Sequence, residues 1–140
     1  MVFFKGCPLR CKWCANPEGL ERKFQIMLKP TACVSCGACV AACPQHIHSI
    51  TANGEHLINR AIDCIGCGSC VRACMQSALK VAGEQVPVSD LLAYLEEDRV
   101  FYEQSGGGVT LSGGEVTSQP EAAINLLEAC KREGLHTAIE

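Results

Sequence analysis

Cys7-Pro8-Leu9-Arg10-Cys11-Lys12-Trp13-Cys14 follows closely on the apolar run Val2-Phe3-Phe4. An apolar run this short reads as a strand, and the stretch after it carries three thiols at CxxxCxxC spacing. Three thiolates can hold three irons of a cubane 4Fe-4S cluster and leave the fourth iron without a protein ligand. That is the open position which separates a catalytic metal centre from a closed one. A structural zinc site would call for a fourth Cys or His close by, and no His occurs before His46. On the open-cluster reading Cys7, Cys11 and Cys14 are the candidate catalytic and metal-ligating residues.

The chain has 140 residues, the length of one ordinary domain, and 48% apolar residues with a net charge of -3 describe a soluble globular protein. No basic excess marks a nucleic-acid partner. Twelve cysteines would spell a disulfide scaffold in a secreted protein, but Met1-Val2-Phe3-Phe4-Lys5 leaves no room for the apolar core of a signal peptide. The cysteines are therefore read as metal ligands in a reducing, cytoplasmic compartment. The uncharged stretch 30–54 contains Pro44, Gln45, His46 and His48, so no membrane span is expected.

Cys33-Val-Ser-Cys36-Gly-Ala-Cys39-Val-Ala-Ala-Cys43-Pro44 is matched 31 residues later by Cys64-Ile-Gly-Cys67-Gly-Ser-Cys70-Val-Arg-Ala-Cys74-Met75. Both runs are CxxCxxCxxxC, the ligand pattern of the bacterial two-cluster ferredoxins, in which the fourth cysteine of each run belongs to the other cluster. The expected ligand sets are Cys33, Cys36 and Cys39 with Cys74, and Cys64, Cys67 and Cys70 with Cys43. Gly37, Gly66 and Gly68 suit a backbone that must curl around a cube. The competing reading is a pair of zinc-ribbon-like sites built from the CxxC pairs. Met75 stands where the first run has Pro44, which touches the turn after Cys74 and no ligand. A short strand is expected at 24–28, a hairpin turn at Asn53-Gly54, and an equivalent hairpin closed by Gly83-Glu84 after the second run. With eight cysteines completing two closed clusters, His46, His48 and His56 read as ordinary polar residues.

Past Pro87 the pattern turns amphipathic. Ser89 is expected to cap a helix running to about Tyr102, ended by Ser105-Gly106-Gly107-Gly108. Val109-Thr110-Leu111 reads as a buried strand with Gly113-Gly114-Glu115 at its C-terminal end. Ser118-Gln119-Pro120-Glu121 has capping-box spacing, opening a helix that buries Ile124, Leu127 and Cys130 and stops at Gly134. A further strand begins at His136. The alternation predicts an α/β fold with parallel strands, in which ligands gather at the carboxyl ends. Gly113-Gly114-Glu115 has neither a GxGxxG fingerprint nor a GK[ST] tail, so no phosphate loop is expected.

CxxxCxxC with an aromatic before its last cysteine, followed after the second strand by Gly-Gly-Glu, resembles the radical S-adenosylmethionine superfamily. The two-cluster insert, together with the segments 3–18 and 105–115, is similar to the activating enzymes of glycyl radical enzymes, relatives of pyruvate formate-lyase activating enzyme. The resemblance covers essentially the whole chain. It implies a partial parallel β/α barrel of the radical S-adenosylmethionine type, about two to three strand-helix units in residues 1–29 and 83–140. A bacterial ferredoxin-like α+β domain would be inserted at 30–82. It further implies three 4Fe-4S clusters, with S-adenosylmethionine chelated at the open iron of the Cys7, Cys11 and Cys14 cluster. Trp13, Cys14 and Ala15 would lie along the adenine, Gly113 and Gly114 would admit the methionine part, and Glu115 would stand near its ammonium group or support the loop. Reductive cleavage would yield a 5'-deoxyadenosyl radical that takes a hydrogen from a glycine of a partner enzyme, with electrons drawn from a flavodoxin or ferredoxin-type reductant. Val116 stands where close relatives often have Pro. An Asp-Gly-Pro-Gly-rich segment before the first strand and the family's later strand-helix units are missing, so the chain is expected to be a fragment. An electron-transfer ferredoxin, a zinc-binding module and another radical S-adenosylmethionine enzyme are the rival readings.

Overall fold

The computed structural model describes residues 1–140. In chain order its elements are β1 (Val2–Phe4), β2 (Gln25–Leu28), α1 (Ala38–Ala42), β3 (His48–Ile50), β4 (His56–Ile58), α2 (Ser69–Arg72), β5 (Leu79–Ala82), α3 (Val88–Glu96), α4 (Arg99–Ser105), β6 (Gly108–Gly113), α5 (Pro120–Arg132) and β7 (His136–Ile139). They divide into two units, one of Met1–Arg22 with Gln85–Glu140 and one of Lys23–Glu84. No helix is long and apolar enough to cross a membrane.

The first unit is α/β. Its sheet has the order β1-β6-β7, with both neighbouring pairs parallel. The alternation in β6 buries Val109 and Leu111, which pack with Leu95, Val116, Ala123, Leu126, Cys130 and Leu135. Complete burial of a Val or Leu side chain is worth about 1.5–3 kcal/mol, so these few positions fix the orientation of the sheet against its helices. Residue Phe4, the last of β1, is the register partner of Gly113, the last of β6. The two loops that follow therefore leave the sheet side by side at its carboxyl edge.

Three expectations for this unit are corrected. The single helix from Ser89 is two helices, because the N–H groups of Glu97 and Asp98 bond back only to Tyr94 and Leu95, tightening the turn, and the Asp98 carbonyl then accepts from Phe101 and Tyr102 to start α4. Arg99 fixes the new start by reaching the carbonyl of Glu133 at 2.9 Å. Ser89 sits inside the first turn, its hydroxyl on Asp90. In α5 the buried stripe is Ala123, Leu126, Ala129 and Cys130, while Ile124 is 53% exposed. Small alanines let the helix approach the sheet closely, so the inward stripe is one residue out of step with the bulky side chains. Ser118 is not a cap. It closes a 3-10 turn, Val116–Ser118, whose start is capped by Glu115, and Gln119 stands at the N-cap position of α5. The stop at Gly134 is as expected: φ is +75°, and Gly134 and Leu135 donate to Lys131 and Cys130 in the Schellman pattern.

The second unit carries two antiparallel pairs, β3 with β4 across the expected turn at Asn53-Gly54, and β2 with β5. The hairpin expected at Gly83-Glu84 does not form. The partner of β5 is supplied from ahead of the first cysteine run, with Gln25 opposite Ala82 and Leu28 opposite Leu79. Between the pairs lie the short helices α1 and α2, and a core of Ile26, Cys39, Cys43, Ile47, Cys70 and Leu79.

Candidate metal centre

Cys7, Cys11 and Cys14 sit on the loop that leaves β1. Cys11 is exposed and the other two are half-buried. The loop is braced from below: Arg10 donates to the carbonyls of Cys7 at 2.7 Å and Leu9 at 2.8 Å and pairs with Glu21, and Lys5 reaches the carbonyls of Glu18 and Glu21, each at 2.7 Å. Thiols held at an exposed rim by backbone and side-chain ties, with none of them sunk into the core, suit a centre that keeps one coordination position open. Trp13, next to Cys14, is 86% exposed, a large aromatic face standing free at the rim.

Gly113-Gly114-Glu115 is laced to the same loop. Gly114 donates to the Phe4 carbonyl at 2.8 Å, Glu115 to the Gly6 carbonyl at 2.9 Å, and Gly6 to the Gly19 carbonyl at 2.7 Å. A Cβ on Gly114 would stand 2.6 Å from the Gly6 oxygen and 2.8 Å from the Gly19 oxygen, and one on Gly113 would stand 2.7 Å from both N and O of Phe4. The glycines are thus required by the close approach of two loops, with φ at Gly113 of +104° adding a second reason. Glu115 Oε1 accepts from the Thr117 N–H at 3.0 Å and hydroxyl at 2.7 Å, and those bonds hold its carboxyl below the usual carboxylate range. Ser118 and Gln119 escaped the sequence reading as part of this site. Their side chains donate to the carbonyls of Gly6 at 3.1 Å and Lys5 at 2.7 Å. The polar pair immediately ahead of a helix-opening Pro was the available signal.

In the second unit the two cysteine runs have matching backbones. Positive φ occurs at Ser35 and Gly66, at Gly37 and Gly68, and at His46 and Ser77, each pair at the same place in its run. Four of them, Ser35, Gly37, Gly66 and Gly68, lie between cysteines, where left-handed residues turn successive N–H groups inward, the nest geometry that receives sulfide or phosphate. Three of the six are not glycine, and an L-residue accepts that conformation only where its surroundings impose it. N–H groups already point at sulfur: Gly66 at Cys64 Sγ, 3.4 Å, and Ala78 at Cys74 Sγ, 3.3 Å. Burial pushes the Cys70 thiol up, with Cys43 and Cys64 adding to the effect, and burial likewise raises Cys39, with Cys33 and Cys36 contributing. Cys43, from the first run, thus lies with Cys64 and Cys70 of the second. Ser69, through its hydroxyl and its N–H, holds the exposed Cys67 thiol down. Cysteine-only donor sets in curled, N–H-lined backbone fit cubane iron-sulfur clusters.

His48 and His56, read from sequence as ordinary polar residues, gather on this site. His48 is 3% exposed, and its ligand atom, that of His56 and that of Cys39 lie within 4.8 Å of one another. Burial holds both imidazoles below their ordinary pKa, for His48 with help from His56. The signal was in the repeat, where His48 falls at the place of the core residue Leu79. Cys130 lies apart, fully buried on α5, its thiol raised by burial.

Residues 32–79 match the family model for a 4Fe-4S dicluster domain. Over its whole length the chain is 60% identical to the choline trimethylamine-lyase activating enzyme of Oleidesulfovibrio alaskensis, covering 46% of that protein. Over 99% of its length it is 48% identical to the trans-4-hydroxy-L-proline dehydratase activating enzyme of Clostridioides difficile, covering 46% of it. Over 99% it is also 40% identical to the benzylsuccinate synthase activating enzyme of Thauera aromatica, covering 43% of it. The chain spans less than half the length of these curated relatives.

Proposed function

We propose that this chain, a homologue along its whole length of the activating enzymes of glycyl radical enzymes, carries the cluster-binding half of such an activase. The observation that carries the reading is the lacing of the Cys7–Cys14 loop to Gly113-Gly114-Glu115 at the carboxyl ends of two neighbouring parallel strands. Cys7, Cys11 and Cys14 would hold the open 4Fe-4S cluster. Trp13, Cys14 and Ala15 would offer the adenine a face, and Gly113, Gly114 and Glu115 would form the wall for the methionine part. With its cluster and S-adenosylmethionine bound, this site would supply the one-electron cleavage whose radical takes a hydrogen from a glycine of the partner enzyme. The protein's own share is geometric: Arg10, Lys5, Ser118 and Gln119 hold the loop, and the glycines let two backbones meet.

The second pair of clusters would be held by Cys33, Cys36, Cys39 and Cys74, and by Cys64, Cys67, Cys70 and Cys43, making three clusters in all. Closed to ligands, these two suit relay of electrons from a flavodoxin or ferredoxin-type donor in the cytoplasm. The ferredoxin-like insert is assigned to 30–82 and the partial barrel of the radical S-adenosylmethionine type to 1–29 and 83–140. The parallel order β1-β6-β7 supports the latter.

The test is anaerobic incubation of the reconstituted protein with S-adenosylmethionine and dithionite, run on the 140-residue chain and on a version extended to the relatives' length. Release of 5'-deoxyadenosine and a glycyl doublet in electron paramagnetic resonance of an added glycyl radical enzyme are expected from the extended protein. Cys11→Ala should abolish both, whereas Cys67→Ala should lose one cluster's iron and keep some cleavage. Full cleavage by Cys11→Ala would refute the assignment.

A further inference from the structure

The two cysteine runs are copies of one unit, and one difference between their surroundings is buried. Aligning the runs sets His48 against Leu79. In the strand registers Ile50 faces His56, and its counterpart Val81 faces Ile26, so His56 corresponds to Ile26. One copy has two imidazoles where the other has two aliphatic side chains, 5% and 1% exposed.

The imidazoles converge on the cysteines of the first run. His56 Nδ1 lies 3.5 Å from Cys33 Sγ, and its Nε2 lies 3.7 Å from Cys39 Sγ and 2.9 Å from His48 Nδ1. A ligating thiolate has no proton to give and a neutral imidazole carries one ring hydrogen, so that hydrogen is placed on His56 Nδ1, in the shorter of the two sulfur contacts, 3.5 Å to Cys33 against 3.7 Å to Cys39. Its Nε2 then accepts from His48 Nδ1–H, which leaves His48 Nε2 as a bare acceptor. That atom is buried with no hydrogen-bond partner. The arrangement makes sense as a one-way donation toward sulfur, while Leu79 and Ile26 show that packing alone does not call for imidazoles at these places.

Resting on the two-cluster reading above, we propose that His56 donates a hydrogen bond to the Cys33 sulfur, with His48 as the positioning residue that fixes its tautomer. The bond raises the reduction potential of the first-run cluster and makes the two closed clusters unequal. Hydrogen bonds to ligand sulfur favour the reduced, more negative state, and partners beyond the ligands set such properties. Arg72 pulls the other cluster the same way, but its exposed guanidinium is spent on the Cys67 carbonyl and Ser69 hydroxyl and is screened by solvent.

The experiment is a potentiometric titration of the reconstituted chain, followed by electron paramagnetic resonance and visible absorbance, with Cys7, Cys11 and Cys14 replaced by Ala so that only the closed clusters report. In His56→Ile the higher midpoint should fall, lowering the reduced-to-oxidised ratio of that cluster at fixed potential about tenfold, a shift of about 59 mV for a one-electron couple, while the lower midpoint stays. His56→Gln, which keeps an N–H, should restore most of the shift, and His48→Leu should move the same midpoint less. Unchanged midpoints, or both moving together, in a His56→Ile protein that keeps about eight irons would overturn the inference. Should that variant lose iron, His48→Leu decides, and an unmoved midpoint there overturns it. Absence of iron and sulfide from the parent chain would sink the two-cluster reading instead, a result visible before any potential is measured.

Discussion

Gly114 donates its N–H to the Phe4 carbonyl at 2.8 Å, at the point where β1 and β6 end together. Its missing side chain matters as much as its hydrogen bond, since a methyl there would press on the carbonyl oxygens of both Gly6 and Gly19. Gly114→Ala is expected to destabilise the first unit by about 1–3 kcal/mol and to impair iron loading at Cys7, Cys11 and Cys14 while sparing the other ligand sets. Gly134→Ala is the contrast, with positive φ and open space around it, and should cost only about 1 kcal/mol with no loss of iron. Thermal melts and iron assays distinguish the two, and equal behaviour would show that the loop contact is not what Gly114 serves.

Three cysteine sets, each suited to a four-iron cluster, predict about twelve irons and about twelve sulfides per anaerobically reconstituted chain. Stoichiometric zinc without sulfide would eliminate the scheme.

Cys130 stands outside those sets, fully buried among Val109, Leu111 and Leu126. A free thiol in such surroundings behaves as a small apolar group, so Cys130→Ala should keep all the iron and change stability by about 1 kcal/mol. Alkylation of the folded protein should leave Cys130 unmodified, because burial raises its thiol pKa. Loss of four irons from the variant would make it a ligand.

Glu115 gives the loop a pH dependence with a definite sign. Its folded pKa is depressed by the bonds from Thr117, so its contribution is present above the unfolded carboxylate value and is lost as pH falls through the lower folded value. Hydrogen-exchange protection of the Thr117 amide should exceed that in Glu115→Gln at neutral pH, and the difference should fade below about pH 4. Protection identical in the two proteins at pH 7 would refute the cap.

The curl of the two cysteine runs was legible in their spacing because such backbone geometry is local, and Ser35, Gly37, Gly66 and Gly68 all take the positive φ that curling needs. The edge where Gly6 meets Gly114 was legible for a related reason, since two parallel strands bring their following loops together. What escaped was set by tertiary packing. Which face of α5 turned inward depended on Ala123 and Ala129, whose smallness is invisible to a count of bulky residues. The partner of β5 came from residues 25–28, a pairing across the whole second unit that no local turn signal announces. His48 and His56 looked idle because eight cysteines already completed two ligand sets, and only the pairing of β3 with β4, which brings their ring nitrogens to 2.9 Å, puts them together.

The pairing of β2 with β5 closes the second unit on its own two ends. Gln25 and Ala82 face each other, so the polypeptide enters and leaves the Lys23–Glu84 unit at a single doorway. A segment whose two ends already touch can be gained or lost in evolution as one cassette, because its removal leaves a gap that a short turn would bridge. Relatives lacking the cassette, and joining directly from Arg22 to Gln85 ahead of α3, are therefore open to selection without any rebuilding of the sheet.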